Sequence, residues 1–207
     1  MQITNMPSGA LGVNTYLAVD DETKKGFIVD PGGYNAALTK KVKADGITIE
    51  YIVLTHGHAD HICGVNRHLK DFPNAKVVAH VEERRMLEDA DFNMSTAFGT
   101  PDTVQADLFV EDGETLQVGN LTLRFLHTPG HSPGGMCIYI EQEHVLFSGD
   151  TLFCQSIGRT DFPGCSFEAL ADSIHSKLFV LPDETSVFPG HMGITSIGFE
   201  KENNPFV

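Results

Sequence analysis

The chain has 207 residues, 28 of them acidic and 14 basic, for a formal charge of −14. That balance excludes nucleic acid as a main partner, because the surface would repel phosphate at range. Hydrophobic residues make up 41% of the chain, enough to bury a sizeable core, which excludes a disordered tail.

No apolar run approaches the roughly 20 residues needed to cross a bilayer. The start, MQITNMPSGALGV, lacks the basic-then-apolar pattern of an export signal. Cys63, Cys137, Cys154 and Cys165 are widely spaced and form no CxxC pair, so they read as reduced thiols. The expectation is a cytoplasmic protein with no membrane partner. Glycine and proline are spread evenly and no repeat is evident, so residues 1–207 are expected to form one domain.

In chain order, periodicity and turn residues predict a hairpin from Asn14–Val19 and Lys25–Val29, closed by Asp30-Pro31-Gly32-Gly33. Asn35–Ala44 has helical spacing, with Gly46 just beyond. A short strand over Glu50–Leu54 precedes a helix from about His61 to Lys70, and Lys76–Ala79 is a strand. Val81 to about Met94 reads as a charged surface helix whose Glu82-Glu83-Arg84-Arg85 run faces solvent. Strands are predicted across Phe109–Leu126, with turns at Asp112-Gly113 and Gly119-Asn120, and a further hairpin from Met136–Ile140 and Val145–Phe147. Ser166–Leu178 is an amphipathic helix and Ser186–Phe188 a last strand. This mixture indicates an α+β protein with helices over more than one mixed sheet.

Thr55-His56-Gly57-His58-Ala59-Asp60-His61 follows the Glu50–Leu54 strand. It sets three imidazoles and a carboxylate within seven residues, donors suited to Zn, Fe or Mn. His56 and His58, two apart on extended backbone, point the same way. Asp60 and His61 lie where the chain turns into a helix and can face a second metal. Three downstream turns repeat this context, each after a predicted strand: Pro129-Gly130-His131, Gly149-Asp150-Thr151 and Pro189-Gly190-His191. Ligands gathered at one end of a sheet are how such a scaffold builds a site. His68, His80, His127, His144 and His175 read as surface or hydrogen-bonded side chains, and Cys63 as a small core residue.

These motifs, together with TPGHSPGG, SGDTLF, GRTDFPG and the GHMGITSIGFEKENNPF tail, resemble the metallo-β-lactamase-fold hydrolases, specifically the short glyoxalase-II-like (hydroxyacylglutathione hydrolase-like) branch. The resemblance implies a four-layer αβ/βα sandwich with the metal site at one edge of the two sheets. It implies two divalent metals, zinc first and Fe or Mn otherwise: one on His56, His58 and His131, one on Asp60, His61 and His191, with Asp150 shared. The implied reaction is hydrolysis of a small-molecule thioester of the S-lactoylglutathione type by a hydroxide bridging the metals, with Asp60 orienting or deprotonating the water. Asp30 reads either as an ordinary Asx-Pro turn or, as the resemblance favours, as a carboxylate that orients a ligand imidazole. Arg159 and Asp161 read either as loop-bracing residues or as residues that approach the substrate. Sixteen residues follow His191, too few for the helical region that binds glutathione in full-length glyoxalase II enzymes. The alternative is a mononuclear iron persulfide dioxygenase of the same superfamily, with His56, His131 and Asp150 as ligands.

Overall fold

The computed structural model describes residues 1–207 as two six-stranded mixed sheets packed face to face. The first runs β1 (Gln2–Asn5), β2 (Tyr16–Val19), β3 (Lys25–Val29), β4 (Thr48–Val53), β5 (Lys76–His80), β6 (Leu108–Val110). Its first three strands are antiparallel and β3 to β6 are parallel. The second contains β7 (Thr115–Val118), β8 (Leu121–His127), β9 (Met136–Ile140) and β10 (Val145–Gly149). After the small β11 (Leu152–Phe153)–β12 (Ser156–Ile157) hairpin, it is completed by β13 (Ser186–Pro189) and β14 (Thr195–Ser196). β13 lies parallel to β10.

Alternation along the strands produces the layers, since successive side chains leave a strand on opposite faces. Tyr16, Ala18, Phe27 and Val29 meet Phe125, Ile138, Ile140 and Phe147 between the sheets. Their neighbours Leu17, Val19 and Ile28 turn outward onto Leu38 and Val42 of α1 (Ala36–Ala44), Ile62 of α2 (Ala59–Ile62) and Val65 of α3 (Val65–Asp71). On the far side, Cys137, Tyr139 and Leu146 pack on Leu170 and on Ile174 and Leu178, from the last turns of one helical stretch, Phe167–Leu178. The result is helix, sheet, sheet, helix. Both faces of each sheet are covered, so its central strands are apolar almost throughout.

Several expected elements differ. The helix expected over 61–70 is split, because the chain bends at Gly64, whose amide donates to the Pro31 carbonyl at 2.8 Å. A Cβ there would sit 2.5 Å from the Pro31 and Gly33 carbonyl oxygens. Cys63, expected in the core, is only half-buried at this bend.

The helix expected over 81–94 lasts only as a short turn at Val81–Glu83 and α4 (Arg84–Glu88). Asp89 stops it: its Oδ1 accepts from the amides of Asp91 and Phe92, both at 3.1 Å. That local turn competes with continued helix. The Glu82–Arg85 run is also not a wholly solvated face, because Glu83 is fully buried. β1, the β11–β12 hairpin and a C-terminal helix α5 (Ile197–Asn203) were not evident from periodicity.

Candidate metal centre

The carboxyl ends of β3, β4, β8, β10 and β13 open at one edge of the sandwich. Each hands its chain to a tight turn carrying one or more polar side chains: Asp30, then His56–His61, His131, Asp150 and His191. The parallel strands within each sheet and the shared orientation of β8 and β10 bring these ends together. Hydrogen bonds lock the loops. The Met136 amide donates to Thr55 O at 2.9 Å, joining the two sheets at the site. Asn14 Nδ2 and Tyr16 Oη both donate to Pro189 O, at 3.0 and 2.8 Å, fixing the turn that presents His191. Gly190 belongs in that turn because a Cβ would stand 2.4 Å from Asp150 Oδ1.

Three donor groups have candidate atoms within 4.8 Å of one another. One of them, Asp30–His56–His61, spends the Asp30 carboxylate on Thr55 and on His61 Nδ1, and the other two are triads that face the centre. The first is His56, His58 and His131; their rings form a near-equilateral triangle with centroids 4.7–4.8 Å apart. The second is Asp60, His61 and His191, where Asp60 Oδ2 lies 3.2 Å from His191 Nε2. Asp150 stands between them. Its Oδ1 is 3.4 Å from His61 Nε2 and its Oδ2 is 3.6 Å from His131 Nε2.

These residues fit divalent cations on their own chemistry. His56 Nε2, His61 Nε2 and Asp150 Oδ1 are buried without a hydrogen-bond partner, and buried polar atoms ordinarily have one. Burial, reinforced by the neighbouring rings, holds His56 well below the usual imidazole range and His58 down to about 3. Those rings are therefore neutral with lone pairs available, the form in which imidazole ligates. Around the second triad the charge is negative. Burial disfavours a charged His61, yet Asp150, Asp60 and Asp30 outweigh it and hold the ring well above its ordinary value. Three carboxylates converge there with no lysine or arginine among their partners, and buried charges are normally paired or bound to metal.

An outer layer orients the donors. Asp30 Oδ2 sits 2.9 Å from His61 Nδ1, which turns Nε2 toward the centre. The same carboxylate accepts from the Thr55 amide at 2.8 Å and the Thr55 hydroxyl at 2.6 Å. His131 Nδ1 lies 2.8 Å from the carbonyl oxygen of Arg159. The Arg159 contribution to this layer thus comes from its backbone. Its side chain lines the cavity above the site but is paired with Asp161, Nε and Nη2 donating at 2.9 and 2.8 Å. Asp161 itself does not line that cavity.

Glu83 is a member that sequence reasoning missed. Its carboxylate accepts from the Gly57 amide at 3.1 Å, the Gly134 amide at 2.8 Å and the Ser132 hydroxyl. It ties the His56–His58 loop to the His131 loop. The available signal was the proximity of Glu83 to the end of β5, next to the strand that carries the His cluster. The other histidines stay outside the site: His68 accepts from the Asn35 amide, and His80 stacks on His127 with centroids 3.9 Å apart.

The model of the metallo-beta-lactamase superfamily matches residues 8–191. The chain belongs to that superfamily. Among its superfamily relatives, it is 36% identical to the hydroxyacylglutathione hydrolase GloC of Haemophilus influenzae, across 100% of this chain and 98% of that one. Among solved structures it is similar to the BLEG-1 B3 metallo-beta-lactamase (41% identity, 99% of both chains, TM-score 0.93). It is also similar to TTHA1623 in a di-iron-bound form (32% identity, 99% and 100% coverage, TM-score 0.86). ETHE1 from Myxococcus xanthus shares 29% identity over 99% of this chain and 84% of its own, with a TM-score of 0.80. The superfamily fold is the αβ/βα sandwich found here, with its His/Asp centre at the edge of the two sheets. No helix is long and apolar enough to cross a membrane.

Proposed function

We propose that the protein is a dinuclear metal-dependent hydrolase of small-molecule acyl thioesters. The observation that carries this reading is the placement of Asp150 between the two triads, Oδ1 3.4 Å from His61 Nε2 and Oδ2 3.6 Å from His131 Nε2 and 3.7 Å from His191 Nε2. His56, His58 and His131 would hold one divalent ion and Asp60, His61 and His191 the other, with Asp150 serving both. Zinc suits this N/O donor set, and iron or manganese suits it also. Bound there, such a pair supplies water activated at neutral pH and polarisation of the acyl oxygen.

The side chains of this protein do the rest. Burial disfavours an ionised Asp60, but the surrounding His61 and His191 outweigh it and keep the carboxylate charged. With one carboxylate oxygen given to the ion, the other would orient the attacking water and take its proton. A C–O bond forms as the C–S bond breaks, and the proton passes to the departing sulfur, so water and thioester become carboxylic acid and thiol. Asp30 and the Arg159 carbonyl hold the imidazoles in register throughout. The resemblance to the hydroxyacylglutathione hydrolase GloC supports thioester cleavage as the reaction.

The test is metal content per chain, measured by element-resolved mass spectrometry on protein purified without added metal or chelator, followed by a thioester panel. Two equivalents and thiol release are expected. One equivalent of iron on His56, His131 and Asp150, with oxygen uptake on adding a persulfide and no thioester cleavage, would replace the hydrolase with a persulfide dioxygenase.

A further inference from the structure

The cavity above the centre has a volume of about 440 Å³, within the range of small-molecule sites. Its floor is the donor set. Its remaining walls are largely apolar: Leu11, Phe98, Phe153, Ile157, Phe162 and Met192. Three of these are left in water, with Leu11 55%, Phe98 47% and Met192 59% exposed. Contiguous exposed apolar surface beside a site marks a place where a partner molecule is bound. A smaller cavity shares Leu11, Asp60 and Phe98 with the first and continues toward Cys63 and Thr100, so the apolar path extends beyond the centre.

Two polar side chains in those walls that are not candidate ligands, Arg159 and Asn93, already have hydrogen-bond partners. Arg159 is the only lysine or arginine lining either cavity. Its guanidinium is bound by the Asp161 carboxylate and lies over the Phe162 ring, 4.2 Å from its centroid. Asn93 donates its amide to Asp102 O at 2.9 Å, and its Oδ1 accepts from the Ser95 amide at 2.8 Å. A glutathione half, with two carboxylates and one ammonium, would bring net negative charge to a protein of net charge −14 and meet one cation in these walls, Arg159, whose charge Asp161 already offsets. An apolar chain would find a wall that gains by being covered.

We infer that the substrate is an acyl thioester with an uncharged, apolar chain, seated between Leu11, Phe98 and Met192, and not a thioester of glutathione. This rests on the hydrolase reading above and narrows its substrate class.

The experiment uses the metal-containing protein with acyl thioesters of N-acetylcysteamine, from acetyl to octanoyl, beside S-lactoylglutathione and octanoylglutathione. kcat/KM should rise about fourfold per methylene added, the burial of one methylene expressed as a rate ratio. Octanoylglutathione should be at least tenfold poorer than its N-acetylcysteamine counterpart. Phe98→Ser should flatten the chain-length dependence and Phe98→Leu should retain it. A second measurement is independent of turnover: ketone analogues, with CH₂ in place of the thioester sulfur, titrated calorimetrically into metal-free protein. Affinity should rise with chain length, with a negative heat-capacity change. If S-lactoylglutathione is the better substrate, or the chain-length dependence is flat, the inference falls while the hydrolase stands. If no thioester is cleaved by protein holding two metals, both fall.

Discussion

Asp30 Oδ2 lies 2.9 Å from His61 Nδ1, and the Asp30 backbone adopts a left-handed conformation, φ 48°, to put it there. A non-glycine residue in that region bears strain, least for Asp and Asn. The strain sits where β3 ends, and the carboxylate it aims sets which nitrogen of His61 faces the centre.

Asp30→Asn tolerates the same backbone and can still accept from the Thr55 amide, but it removes the negative charge facing His61. Affinity for one of two metal equivalents should fall about 10–100-fold, the usual cost of losing a partner that orients a ligand. The other equivalent should bind as before. Competition with a chromophoric chelator checks this; equal weakening of both ions would show that Asp30 acts on the whole edge and not through His61.

Asp150→Ala should remove metal and activity together. A carboxylate facing both triads cannot be lost from one alone, so activity should drop by more than the roughly 100-fold upper cost of an orienting partner. Full activity with exactly one equivalent missing would end its shared role.

Glu83→Ala leaves the Gly57 and Gly134 amides and the Ser132 hydroxyl without their acceptor. Each unsatisfied buried group costs about 1–3 kcal/mol, so metal-free protein should lose on the order of 3–5 kcal/mol in urea unfolding, allowing for relaxation. Because the carboxylate joins the two histidine loops, metal affinity should fall as well. A loss below ~1 kcal/mol would mean that water replaces the carboxylate.

His80 provides the pH dependence. Burial, with His127 stacked against it, pushes its folded-state value down to about 4 from the ordinary 6.5. The unfolded chain therefore binds a proton that the folded one refuses between pH 6.5 and 4. Stability falls as pH drops through that window, by up to ~3 kcal/mol from this residue. His80→Gln should make unfolding free energy less steep in pH over that range, read as a difference from wild type by urea unfolding at several pH values. Parallel curves would show that His80 does not titrate differently on folding.

Sequence determined the chemistry on offer and much of the scaffold. THGHADH concentrates four donors in one short segment, and apolar alternation marks most central strands, because both signals are local: each depends on residues within a few positions of one another. The turns bearing His131, Asp150 and His191 were legible as strand ends. Their convergence was not, since it depends on the order β7-β8-β9-β10-β13-β14 and on parallel pairing of β10 with β13, contacts between residues 40 positions apart.

Only the tertiary structure decided which acidic residues serve the site. Glu83 has the sequence context of an exposed helix face, yet it is buried because its turn lies against the Gly57 and Ser132–Gly134 loops. Arg159 reads from sequence as either a loop brace or a substrate contact; in the structure it lines the cavity, pairs with Asp161 and offers its main-chain carbonyl to His131. Local sequence specifies which groups a segment carries. Whether a carboxylate meets water, a cation or three amide and hydroxyl donors is set by what distant segments place beside it, and the free energy of a buried charge depends on those partners.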